Sequence, residues 1–147
     1  MDLRKQFPRS PKDKLVGYVH LARMIDKCRA TLASTQGEYK YPCPMDQRLL
    51  DFAGITAEQF TEAARGMTDP ALAEWFKKSA TSHSPAEIEQ WNARFLTWEP
   101  DTEEKRVYFK KLRDAVDPSR PDITAWADLL DLDEKRPVPK RTANVRG

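Results

Sequence analysis

The chain has 147 residues, 25 Lys and Arg against 23 Asp and Glu, and two cysteines. That length suits one domain burying roughly 68–70% of its unfolded surface, and no run of about 18 apolar residues is present to span a membrane. The formal charge of +2 hides +3 over residues 1–14, +5 over 135–147 and −6 over 15–134, which argues against a uniformly basic nucleic-acid binder. Five glycines are too few for a strand-and-turn fold or a glycine-rich phosphate cradle. The N-terminus lacks the apolar core of a secretory signal, so a cytoplasmic location is expected, with reduced thiols.

In chain order, residues 1–16 carry Pro8 and Pro11 among charges and are expected to run extended over the surface. Leu21, Met24, Cys28 and Leu32 recur at helical spacing and predict a helix over 20–34. A second helix is predicted over 45–53. Thr56 with Gln59 reads as a capping box for a helix over 57–66, with Ile55 and Phe60 as a hydrophobic staple and Gly66 as a left-handed stop. Asp69 and Pro70 open a helix over 70–80 whose apolar face is Leu72, Trp75 and Phe76. Ser84, Pro85 and Glu87 form a second capping box, for a helix over 85–97 with Ile88, Trp91, Phe95 and Trp98 inward. Asp101 with Glu104 starts a helix over 102–115 whose inward face is Tyr108, Leu112, Ala115 and Val116. Asp122 caps the last, over 123–131, with Ile123, Trp126, Leu129 and Leu130 inward. No segment alternates with period two. The expected class is all-α: a compact single-domain bundle of about seven short helices over 1–134, followed by a flexible basic tail over 135–147.

Four stretches, over 9–30 (RSPKDKLVGYVHLARMIDKCRA), 37–55 (GEYKYPCPMDQRLLDFAGI), 84–96 (SPAEIEQWNARFL) and 122–136 (DITAWADLLDLDEKR), carry a resemblance. Together they resemble a bacterial family catalogued as domain of unknown function 5069, over about residues 3–136. The resemblance implies a small, mostly helical, cytoplasmic bacterial protein, and it implies no activity. The family often has proline where Ala22 stands, at the first turn of the first helix.

The densest polar group is His20, Arg23, Asp26, Lys27 and Arg29, with the following turn of Glu38, Tyr39, Tyr41, Pro42, Cys43, Pro44, Asp46 and Arg48. Steps of three and four residues put His20, Arg23 and Lys27 on one stripe, able to hold a carboxylate or phosphate. The alternative is a solvated face in which Asp26 pairs with Arg23 or Arg29. Two prolines flank Cys43 and stiffen the segment that presents its thiol. A nucleophilic cysteine needs help from a cation or a helix N-terminus, and Cys43 just precedes a predicted helix; otherwise it is a small buried apolar residue. Cys28, on the apolar stripe, is read as a core residue.

The only histidines are His20 and His83, and no ligand spacing stands out, so neither a metal nor a cofactor is expected. Glu87 with Glu89 and Glu103 with Glu104 are explained as cap members, the hydroxyls around His83 as a polar loop, and the four tryptophans as core. The leading expectation is a binding module for a small anionic ligand, contacted by Arg23, Lys27, Tyr39, Asp46 and Arg48. The alternative is a small enzyme in the same pocket, with His20 as acid or base, Arg23 or Arg48 as anion clamp, and Cys43 or Tyr41 reactive. Nucleic-acid binding through the basic ends is the third, weakened because no aromatic interleaves with the tail bases. Monomer and homodimer both remain open.

Overall fold

The computed structural model describes residues 1–140. Among them it contains a short hairpin, β1 (Lys14–Leu15) with β2 (Tyr18–Val19). Seven helices follow: α1 (Leu21–Leu32), α2 (Pro44–Ala53), α3 (Ala57–Gly66), α4 (Asp69–Ser79), α5 (Pro85–Leu96), α6 (Glu103–Val116) and α7 (Trp126–Asp133). The molecule is therefore an all-α, mostly helical protein, and no helix of the described residues is long and apolar enough to cross a membrane. Contacts divide the chain into two compact units, Met1–Gln90 and Trp91–Gly147, with the division falling inside α5.

Local chemistry accounts for most helix starts. Gln59 N–H donates to Thr56 Oγ1 at 3.0 Å while Thr56 N–H donates to the Gln59 side chain at 2.9 Å. Ser84 and Glu87 exchange the same two bonds at the start of α5. Elsewhere a threonine just beside the expected residue does the capping. Thr68, not Asp69, accepts from Ala71 N–H, and Thr102, not Asp101, accepts from Lys105 N–H. Asp122 does not cap α7; Arg120 holds its carboxylate at 3.0 Å, and α7 begins at Trp126 after an Ala125 N-cap. Gly66 is the last residue of α3 rather than a left-handed stop. That role belongs to Gly54 after α2, with φ 69°, where an added Cβ would lie 2.6 Å from Thr81 Oγ1.

The hairpin escaped the sequence reading because its strands are only two residues long. Its turn residues, Val16 at φ 45° and Gly17 at φ 90°, both adopt positive φ, as a tight two-residue hairpin turn demands. It delivers Tyr18, Val19 and His20 into the interior at the start of α1. The core of this first unit is Leu21, Met24 and Ile25 of α1, Leu49 and Leu50 of α2, Phe60 of α3, and Leu72 and Phe76 of α4. Tyr18 meets the Phe76 ring edge-on at 5.2 Å.

The leader is held down. Leu3 N–H donates to the Thr35 carbonyl at 2.9 Å, Arg9 pairs with Asp26, and Lys14 pairs with Glu89 at 2.9 Å. Much of its positive charge is thus matched by acids of the same unit.

The second unit's core is Phe109, Ile123, Leu129 and Val138, with Trp126 and Leu132 against it. This corrects the orientation expected for α6. Tyr108 and Val116 are 57% and 44% exposed and Leu112 is also exposed, whereas Phe109 and Arg113 turn inward. Within the expected tail, Val138 is buried and its carbonyl accepts from Arg120 Nη2 at 2.7 Å. The rest of that tail, 141–147, lies outside the described residues.

Candidate functional site

The site forms where the first turns of α1 meet the N-terminus of α2. Residues 20, 23 and 27 of α1 share one face by the helical repeat, and that face is turned inward. His20 and Asp46 are fully buried, while Arg23 and Lys27 retain only 2% and 4% of their exposure. The stripe is therefore not the solvated face weighed as one reading of the sequence.

Asp46 is the hub. It is the third residue of α2, and Cys43 is the N-cap, so the two form a capping box in which a thiol replaces the usual hydroxyl. Cys43 N–H donates to Asp46 Oδ2 at 3.0 Å, and Asp46 N–H points to Cys43 Sγ at 3.5 Å. Lys27 Nζ donates to Asp46 Oδ2 at 2.8 Å and lies 3.0 Å from Cys43 Sγ. His20 Nε2 is 2.7 Å from Asp46 Oδ1.

Burial pushes the His20 pKa below its ordinary value despite the pull of Asp46, which favours the neutral ring, and a carboxylate opposite Nε2 favours the tautomer with its proton there. Burial alone would raise the Asp46 carboxyl. The His20 hydrogen bond and the Lys27 ammonium outweigh it and hold the group well below the usual carboxylate range. His20 itself is the N-cap of α1 at φ 71°, a left-handed conformation that costs a non-glycine residue about 1–3 kcal/mol.

The remaining expected residues go elsewhere. Arg23 stacks over the Tyr39 ring at 5.5 Å and donates to the Arg9 carbonyl at 3.2 Å. Tyr41 donates its hydroxyl to the Ala57 carbonyl at 3.3 Å and accepts from Thr61, and burial raises its pKa well above the phenol range. Arg48 is exposed on α2. Asp26 pairs not with Arg23 or Arg29 but with Arg9 of the leader, which reaches it through its backbone N–H at 2.9 Å and a two-pronged guanidinium at 3.0 Å. Arg29 instead caps the end of α3 through the Ala64 and Met67 carbonyls and pairs with Asp69. So His20, Lys27, Cys43 and Asp46 come together, Arg23 and Tyr39 pair beside Arg9, and Tyr41 is engaged on α3.

Sequence reasoning missed Arg9. The only hint was its place between Pro8 and Pro11, which stiffen the leader. Cys28 is a fully buried core thiol whose pKa burial raises, and both cysteines are free thiols.

A groove of about 500 Å³ lies over the junction of α2 and α3, lined by Pro42, Gln47, Leu50, Asp51, Ile55 and Glu58 among others. Its charged groups are carboxylates over an apolar floor of Leu50 and Ile55. Among the described residues no group of three His, Cys, Asp or Glu side chains is placed to hold a metal ion.

A family model described as Domain of unknown function (DUF5069) matches residues 5–136, and the chain belongs to that family. A comparison with curated proteins finds no match.

Proposed function

We propose that this member of the family binds a small molecule beside the turn that carries Cys43, and that the Cys43 thiol is the group that engages it. One observation carries the reading: the half-buried Cys43 is the N-cap of α2, with the Lys27 ammonium 3.0 Å from its sulfur. Both neighbours stabilise negative charge on sulfur, which is what a sulfur nucleophile needs as it attacks. Asp46 and the neutral His20 hold Lys27 in place. They act as positioning residues rather than as groups that touch the ligand. The ligand class is a small electrophile, and an anionic one is attracted by the same cation. The reading places the protein in the cytoplasm, where thiols stay reduced.

The test is the alkylation rate with iodoacetamide at neutral pH, read site by site by peptide mass. Cys43 is expected to react faster in the folded chain than in the urea-unfolded chain, while Cys28 reacts only after unfolding. A folded-state rate for Cys43 below the unfolded one overturns the reading. A thermal-shift screen of small metabolites against wild type and Cys43→Ser then finds the ligand, since a molecule binding only the native state raises its stability by mass action.

A second reading rests on the groove between α2 and α3, whose volume falls in the range of small-ligand pockets. With Asp51 and Glu58 on its walls it favours a neutral or cationic molecule, bound without covalent chemistry. A thermal shift retained in Cys43→Ser and lost in Asp51→Asn supports that reading instead.

A further inference from the structure

We propose that Cys43 and Lys27 are a redox-sensitive pair: hydrogen peroxide oxidises the Cys43 sulfur, and the Lys27 amine closes on it to form a sulfur–nitrogen bond joining α2 to α1. The inference rests on the reading of Cys43 as an accessible thiol and adds to it a partner and a product.

Three features place the reaction here. Cys43 is only partly buried, on a turn open to a molecule as small as peroxide, whereas Cys28 is fully enclosed against Thr61. Lys27 Nζ stands 3.0 Å from that sulfur, on a side chain that is almost wholly buried. Both ends are fixed: Lys27 by Asp46 at 2.8 Å, and Cys43 by its own capping bonds between two prolines. A sulfenic acid formed on Cys43 therefore meets an amine before it meets a second peroxide.

The chemistry balances with one equivalent of oxidant. In the first step the thiol attacks peroxide, the O–O bond breaks, and sulfenic acid and water form. In the second, as nitrogen bonds to sulfur, the Lys27 ammonium gives up one proton to the Asp46 carboxylate, whose depressed pKa is owed in part to that same ammonium and rises once the charge is gone. The freed nitrogen lone pair attacks Sγ, and the S–O bond breaks. The departing hydroxide takes a proton from the same nitrogen and leaves as water. Overall a thiol, an amine and one peroxide give a sulfenamide and two waters, with sulfur oxidised by two electrons and peroxide reduced by two. The buried Lys27–Asp46 ion pair disappears as a unit, so no lone charge is left inside. A thiol reductant reverses the bond, restoring the amine and the free cysteine.

The experiment uses the full reduced chain, treated with stoichiometric hydrogen peroxide, quenched with iodoacetamide under denaturing conditions and digested with trypsin. The expected result is a species that has lost two hydrogen atoms in the link and carries one carbamidomethyl group, on Cys28, where the reduced chain carries two. It shows loss of tryptic cleavage after Lys27, with peptide 24–29 joined to peptide 41–48, and dithiothreitol restores normal digestion. A disulfide between Cys28 and Cys43 would leave no thiol for iodoacetamide and would leave cleavage after Lys27 intact, and Cys28→Ser separates the two: the link must survive in that variant. Sulfenic or sulfinic acid on Cys43 with Lys27 still cleaved overturns the proposal. If folded-state alkylation of Cys43 is nevertheless fast, the proposed function stands and only the lysine link falls. If Cys43 stays unoxidised and unalkylated, both fall.

Discussion

Each unit buries a cation within hydrogen-bonding reach of several partners, and the two cations do different things. In the second unit Arg113 turns inward from α6 and spends its donors on the loop before α7, on the Pro121 and Ile123 carbonyls at 3.3 and 3.1 Å, with Asp114 at 3.1 Å. Those acceptors are backbone atoms that need a donor once buried, so the arrangement is complete as a fastening. In the first unit Lys27 spends its charge on Asp46 and on a thiol, and the thiol had no need of a cation to be buried. Burial of charge alone therefore does not mark a site. A buried charge aimed at a group with chemistry of its own does.

The sharpest way to break the contrast is Asp46→Ala. It strips Lys27 of its counter-ion and His20 of its acceptor while leaving the ammonium inside. Removing one partner of a buried pair costs about 3–5 kcal/mol. Urea denaturation should show a loss of that order, and a loss below about 1 kcal/mol, the worth of a surface pair, would mean that the cluster is solvated.

Arg113→Ala is the matched change in the second unit. It leaves two loop carbonyls unpaired without stranding a charge. The expected loss is about 1.5–3 kcal/mol, the worth of hydrogen bonds to a charged group, with folded-state alkylation of Cys43 unchanged. A larger loss than at Asp46 would reverse the ranking.

Acid should separate the two regions next. His20 has a folded pKa below its ordinary 6.5, so under acid the unfolded chain binds the proton first and stability falls as pH drops below about 6.5. Asp46 has a folded pKa below 3.8, so it too favours the native state at high pH and loses its contribution below about pH 4. Both slopes have the same sign. Denaturant midpoints from pH 8 to 3 should therefore fall in two stages, and His20→Gln should flatten the upper stage alone. An unchanged upper stage in that variant would place the neutral histidine elsewhere.

The comparison also shows what a chain of letters carries. Helix starts were legible because a cap is local: Thr56 with Gln59 and Ser84 with Glu87 do all their work within four residues. Caps misplaced by one residue, as at Thr68 and Thr102, are the cost of neighbouring residues with equal capping chemistry. The membership of the site was half legible. His20 with Lys27, and Cys43 with Asp46, follow from spacing on one helix and one cap. What spacing could not give is that the cluster is buried, because that depends on partners 26 residues apart for His20 and Asp46 and 17 apart for Arg9 and Asp26. Arg23 was grouped with it by helical spacing and Tyr41 and Arg48 by sequence proximity, yet Arg23 turns to Tyr39 and the Arg9 carbonyl, Tyr41 to α3, and Arg48 is exposed.

The smallest expected effect tests the face of α6. Tyr108, Leu112 and Val116 repeat every four residues and gave the apolar stripe read as core, yet the stripe that is buried runs through Phe109 and Arg113. A charged residue in the buried face weakened its signal, and the long stem of Arg113 supplies the apolar contact that a leucine would. A buried leucine cut to alanine loses about 2–5 kcal/mol, while an exposed one changes stability by at most about 0.5 kcal/mol. Leu112→Ala should therefore leave the urea midpoint nearly where it was, and Phe109→Ala on the other face should lower it by about 3–5 kcal/mol of stability. A large loss at Leu112 would put the sequence-predicted face back in the core and exchange the roles of the two stripes.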